Sequence, residues 1–103
     1  MYELFVSPNI ISKPVKEVIY FYSGKNGING VVKGSSTGIH TPSITNNGEF
    51  NCTCQGFQFQ GRRVFCSHLY ALCIEGEKQI GKEKVYMLLK AIIDNRGKNI
   101  GNS

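Results

Sequence analysis

Acid is scarce in this 103-residue chain: seven Asp and Glu stand against twelve Lys and Arg, for a formal charge of +5. An excess of that size suits a nucleic-acid surface, and it equally suits a merely soluble basic one. Long apolar runs are missing. No stretch approaches the ~18 residues that would span a bilayer, and Met1 to Val6 lacks a basic n-region, so the sequence predicts an intracellular chain with no membrane partner. Also absent are a Gly-rich phosphate loop, a carboxylate pair at useful spacing and a nucleophilic triad, and the expectation is a protein that is not an enzyme. There is no internal repeat and no composition break. One domain is expected over residues 1–97, with 98–103 as a flexible tail that has nothing to bury. The hydrophobic share of 41% is slightly below usual globular values, and twelve glycines imply many turns.

What the chain does have is concentrated between Asn51 and Ile74. Cys52-x-Cys54 is followed, after eleven residues, by Cys66-x-His68. Three thiols and an imidazole make the full donor set of a tetrahedral structural zinc. On an extended strand, residues two apart share a face, which would aim Cys52 and Cys54 at one ion. Cys66 and His68 cannot share a helix face, because two positions rotate by about 200°. Cys66 is therefore expected in the loop before a helix, Ser67 as its N-cap and His68 in its first turn. With all four positions filled by protein, no site remains for a reactive water. Four cysteines in a secreted chain would be read as two disulfides. With no secretion signal, a reducing compartment is expected, where Cys/His clusters bind metal instead. Zn2+ loading would bring the charge to about +4, from an ion of +2 and three thiolates.

The arrangement resembles the SWIM-type zinc finger, whose signature is Cys-x-Cys, a variable spacer, then Cys-x-His. Val31-Val32-Lys33-Gly34-Ser35 is similar to the strand leading into that family's domains. Phe50 to Cys54 is similar to its aromatic-flanked first pair, and His68 to Leu72 to the aliphatic run after its histidine. The resemblance covers Val31 to Ile74. It implies a nucleic-acid-binding or protein-interaction module, of the kind found in chromatin-remodelling helicases, transposases and recombination accessory proteins.

Hydrophobic patterning predicts an α+β fold, with a small antiparallel sheet of hairpins, a zinc-clamped ββα finger and a C-terminal amphipathic helix. Leu4-Phe5-Val6 reads as an edge strand before Pro8. Val15, Val18, Ile19 and Tyr22 fit helical spacing, but the β-branched and aromatic content of Val18 to Tyr22 favours a strand. That strand pairs with Ile28 to Lys33 across a Ser-Gly-Lys-Asn-Gly turn. Ile39 to Thr45 is a strand interrupted by Pro42, and Asn46-Asn47-Gly48 a hairpin turn. Glu49 to Thr53 carries the first cysteine pair, and the alternation from Phe57 to Gln60 suggests another strand. Helices are expected at Ser67–Glu75, stopped by Gly76, and at Lys82–Asn95, stopped by Gly97. Val85, Leu88, Leu89, Ile92 and Ile93 form the apolar stripe of the second.

Arg62 and Arg63, in the finger loop before Cys66, are the best candidates for nucleic acid, since their forks pair with phosphate or guanine. Lys33, Lys78, Lys82 and Lys84 can extend the patch. Phe57, Phe59 and Phe65 are either base-stacking groups or core residues. Between Lys13 and Arg63, six basic residues face two acids, Glu17 and Glu49, so the sheet with its finger loop is the expected binding face. Cys73 is expected as a buried inert thiol and His40 as a solvent-facing residue. The functional expectation is a DNA-binding accessory or regulatory protein. The competing one is a protein-interaction module for a recombination, replication or transcription partner. The stripe of helix 82–95 would then serve as a partner or homodimer surface if exposed.

Overall fold

The central element is a thirteen-residue helix, Ser67–Gln79 (α3), with His68, Leu69, Ala71, Leu72, Cys73 and Gly76 buried along it. It lies between a sheet and a second long helix, Lys82–Gly101 (α4). The computed structural model describes residues 2–34, 38–59 and 64–101, and the architecture is α+β.

The sheet is antiparallel throughout. Its strands are Val18–Gly24 (β1), Gly27–Lys33 (β2), Ile39–His40 (β3), Ser43–Thr45 (β4) and Phe50–Asn51 (β5), in the order β1-β2-β4-β5 with β3 on the far end of β2. The β-rich composition of Val18 to Tyr22 prevails over its helical spacing because β2 supplies a partner, with Phe21 opposite Gly30 and Tyr22 opposite Asn29. A bulge between Val18 and Tyr20 takes Ile19 out of register. Pro42 splits the third expected strand into β3 and β4, as a residue without an N–H must inside a ladder. The two turns at this end are tied together: the Asn46 amide nitrogen donates to the Asn26 carbonyl at 2.8 Å.

Ile28 and Ile44 of the sheet pack with Leu69, Leu72, Val85, Leu89 and Ile92 of the helices, and Val32 is buried as well. Val85, Leu88, Leu89 and Ile92 are buried, so the α4 stripe is taken up by the chain's own core; Ile93 alone of the five is exposed, at 38%.

Several sequence expectations are corrected. Leu4 to Val6 is no strand: a 3-10 turn at Tyr2–Leu4 leads into a short helix, Pro8–Ile11 (α1), and drives Phe5 and Val6 into the core. The Phe65 amide nitrogen donates to the Phe5 carbonyl at 2.7 Å, anchoring the segment. Gly76 does not stop α3. It is where the helix passes close to its neighbours, since a Cβ there would stand 3.0 Å from Val85 Cγ2. The break comes at Gly81, with φ +98°. Nor does Gly97 stop α4, whose backbone stays helical to Gly101; Asn102 and Ser103 lie outside the described residues. Among the described residues, no helix is long and apolar enough to cross a membrane.

Two left-handed glycines separate strain from packing. Gly81, φ +98°, has open space at its Cβ position, whereas a Cβ on Gly48, φ +86°, would fall 2.4 Å from the Ala91 carbonyl oxygen. Gly81→Ala should cost about 1 kcal/mol from backbone conformation, and Gly48→Ala at least about 1 kcal/mol more, because α4 must shift. Urea denaturation of the zinc-loaded variants measures both, and equal losses would contradict this packing of α4 on the β4–β5 turn.

Candidate metal centre

The four expected donors arrive from three places in the fold. Cys52 follows β5 directly, and Cys54 is the residue before a short helix, Gln55–Phe59 (α2). Cys66 precedes α3 in extended conformation, φ −82° and ψ 175°, and His68 is the second residue of that helix. Their ligand atoms all lie within 4.8 Å of one another, and all four residues are buried.

The local geometry differs from the sequence expectation in three ways. Cys52 and Cys54 do not sit on a strand, since β5 ends at Asn51. Residues two apart on a strand are about 6.6 Å apart at Cα, while two sulfurs on one ion are at most about 4.6 Å apart, twice the Zn–S bond. With the bend at Thr53 and Cys54, the sulfurs lie within 4.8 Å. Phe57 to Gln60 is not a strand either. Residues 55–59 are helical, because the Phe57 amide donates to Cys54 Sγ at 3.4 Å, the place of a side-chain N-cap. Gln60 lies outside the described residues. Finally, the N-cap of α3 is Cys66 and not Ser67. Both cysteines at helix starts thus face backbone N–H groups, a position that favours thiolate.

Behind the donors stands an aromatic wall. Phe65 stacks on Phe5 with centroids 5.2 Å apart and meets Phe50 edge-on at 4.9 Å, and Phe50 meets Phe57 at 5.8 Å. Phe57 and Phe65 are fully buried, which removes them as base-stacking candidates; Phe59 is 85% exposed. His40 also lies against the site. Its ring lies 4.4 Å from the His68 ring, and its Nδ1 is 3.3 Å from Thr53 Oγ1, which also accepts from the Thr41 amide. His40 is half-buried against the site, not solvent-facing. Cys73 is buried within the core and takes no part.

The donors suit a cation. Both ring nitrogens of His68 are buried without a hydrogen-bond partner, an expensive arrangement that a metal bond to one nitrogen relieves. The thiols share a proton economy of the same kind. The Cys66 thiol is raised, first by its hydrogen bond to Cys52 and then by burial, while that same bond holds Cys52 well below the usual thiol range. Cys54 is raised by burial. None of the four cysteines is in a disulfide. Three soft sulfurs and one imidazole fit Zn2+: Cys52, Cys54, Cys66 and His68 would hold it, and it would supply cross-linking of β5, α2 and α3.

Fold and donor set together define a small zinc-binding module. Residues 45–77, from the end of β4 into α3, match the family model of the SWIM zinc finger, and the four donors that the match spans cluster together. No curated protein and no solved structure matches the chain. Lys33 is exposed at the end of β2, opposite Ile39, while Arg62 and Arg63 lie outside the described residues.

Zinc loading near pH 8 should release about two protons from the thiols, since Cys54 and Cys66 are raised and Cys52 is already lowered. Protons compete with the metal, so apparent affinity should climb about 100-fold per pH unit below the raised thiol values and fall on acidification. Calorimetry in buffers of different ionisation enthalpy counts the protons, and a count of zero would contradict the site. Cys66→Ser should lower affinity by at least about tenfold and reduce thermal stability only when zinc is present.

Proposed function

We propose that the chain is a zinc-stabilised DNA-binding accessory or regulatory protein that acts without catalysis. The observation that carries this reading is Phe59. It is 85% exposed at the end of α2, three residues before Arg62-Arg63 in sequence, on a helix whose start is fixed by a zinc-ligand cysteine. A solvent-facing aromatic followed closely in sequence by paired arginines is a combination suited to single strands and phosphates. The charge distribution supports it: the residues from Lys13 to Arg63 hold six bases and two acids. The absence of catalysis is inferred from the closed donor set, since four protein ligands leave no position on zinc for water.

A protein-docking role through α4 has less support, because that helix spends its apolar stripe on the core.

Zinc-loaded protein titrated with labelled DNA at several salt concentrations tests the reading. Affinity should fall steeply with salt, and Arg62→Ala/Arg63→Ala should flatten the slope of log K against log salt by about two. Lack of binding to any DNA at low salt would contradict the proposal.

A further inference from the structure

The outer face of the sheet, turned away from α3, carries a second arrangement suited to nucleic acid. In the register of the β1–β2 hairpin, Tyr20 stands opposite Val31 and Tyr22 opposite Asn29. Both tyrosines are about half exposed, Tyr20 at 54% and Tyr22 at 50%. Tyr22 leans along its own strand over Gly24, where a Cβ would come within 2.8 Å of Tyr22 Cε1, so the missing side chain leaves the ring lying along the sheet. Beside it is an open cavity of about 420 Å³ lined by Tyr22, Lys25, Asn29, Ser43 and Thr45 among others. Exposed lysines mark the two ends, Lys25 in the hairpin turn and Lys33 at the end of β2. The other tyrosines lie elsewhere: Tyr2 meets Tyr70 and Tyr86 edge-on in a separate, part-buried cluster.

We infer that this face binds an unpaired stretch of nucleic acid, with Tyr20 and Tyr22 as successive stacking platforms and Lys25 and Lys33 at the flanking phosphates. The inference rests on the DNA-binding reading and deepens it by naming the strand state. Residues two apart on a strand are about 6.6 Å apart, nearly twice the 3.4 Å rise of a duplex strand. Bases seated on both rings are therefore pulled off one another, which a paired duplex does not permit. Lys33 lies six residue steps along β2 from Gly27, or about 20 Å, enough for about three such nucleotides. Asn29, Ser43 and Thr45 supply donors and acceptors in the cavity beside Tyr22. The charge sign agrees with a phosphate backbone and not with a second copy of this basic face.

The chain contains no tryptophan and five tyrosines, so tyrosine emission is readable, and the part of its quenching that disappears in Tyr20→Phe/Tyr22→Phe belongs to the platform. Zinc-loaded full-length protein is titrated with oligo(dT), in parallel with a hairpin duplex, following tyrosine quenching and anisotropy. We expect quenching by the single strand and weaker binding of the duplex. Tyr20→Ala and Tyr22→Ala should each cost about tenfold in oligo(dT) affinity, whereas Tyr20→Phe/Tyr22→Phe should bind as the parent does. Lys25→Ala/Lys33→Ala should lower the salt slope. Zinc content and circular dichroism report whether each variant is folded, and the phenylalanine pair keeps the test decisive if an alanine variant is not. Unchanged oligo(dT) binding in folded Tyr20→Ala/Tyr22→Ala overturns the inference. Duplex binding that depends on Arg62 and Arg63 but ignores both tyrosines overturns it while leaving DNA binding in place. Failure to bind any nucleic acid overturns both. A sedimentation dimer broken by the tyrosine variants, without oligonucleotide binding, overturns it in favour of self-association.

Discussion

Everything at the β5–α2–α3 corner depends on the convergence of four buried donors within 4.8 Å. Polar groups taken out of water need partners, and a buried imidazole with both nitrogens unpartnered is costly. A divalent cation would reverse the sign of that cost: it would replace thiol protons, bond the imidazole and cross-link three segments that already meet through Phe50, Phe57 and Phe65. β5 has two residues and α2 has five, too few for either to be stable alone. The hairpin, α3 and α4 contribute Ile28, Leu72, Val85, Leu89 and Ile92 to the same core cluster that holds Cys52, Cys54 and Cys66. The metal corner is thus continuous with an ordinary hydrophobic core through α3, whose first turn supplies a ligand and whose later turns fill the core.

That arrangement explains what could be read from sequence. Cys52, Cys54, Cys66 and His68 were legible because donor chemistry and spacing are local and few alternatives fit them. The α4 stripe was legible because five apolar residues at helical period have one common face, and the β1–β2 hairpin because turn residues flank β-rich runs. Where local signals failed, distant contacts decided. Phe57 and Phe59 alternate like a strand, but Cys54 caps them into a helix and the aromatic wall takes Phe57 alone. Phe5 reads as strand until Phe65 stacks on it from sixty residues away. Gly76 has the look of a terminator, yet its small size is needed because Val85 passes there. His40 reached the His68 ring only through the pairing of β3 with β2, and no motif announces that.

The zinc site and the outer sheet face are linked by β2 and β3. Val32 pairs with His40, whose ring touches the metal corner, while Lys33 and Ile39 pair one residue on. Strand alternation sends these neighbours to opposite faces. A rigid corner on one side therefore holds the frame that presents Lys33, Tyr20 and Tyr22 on the other. In the proposed reading the metal would perform no chemical step; it would fix the positions from which a single strand is held.

X-ray absorption at the zinc edge of the loaded protein tests the central claim most directly. The account predicts three sulfurs near 2.3 Å and one imidazole nitrogen near 2.0–2.1 Å, from Cys52, Cys54, Cys66 and His68. A fourth sulfur, which Cys73 alone could provide, or a second imidazole, which His40 alone could provide, would contradict it.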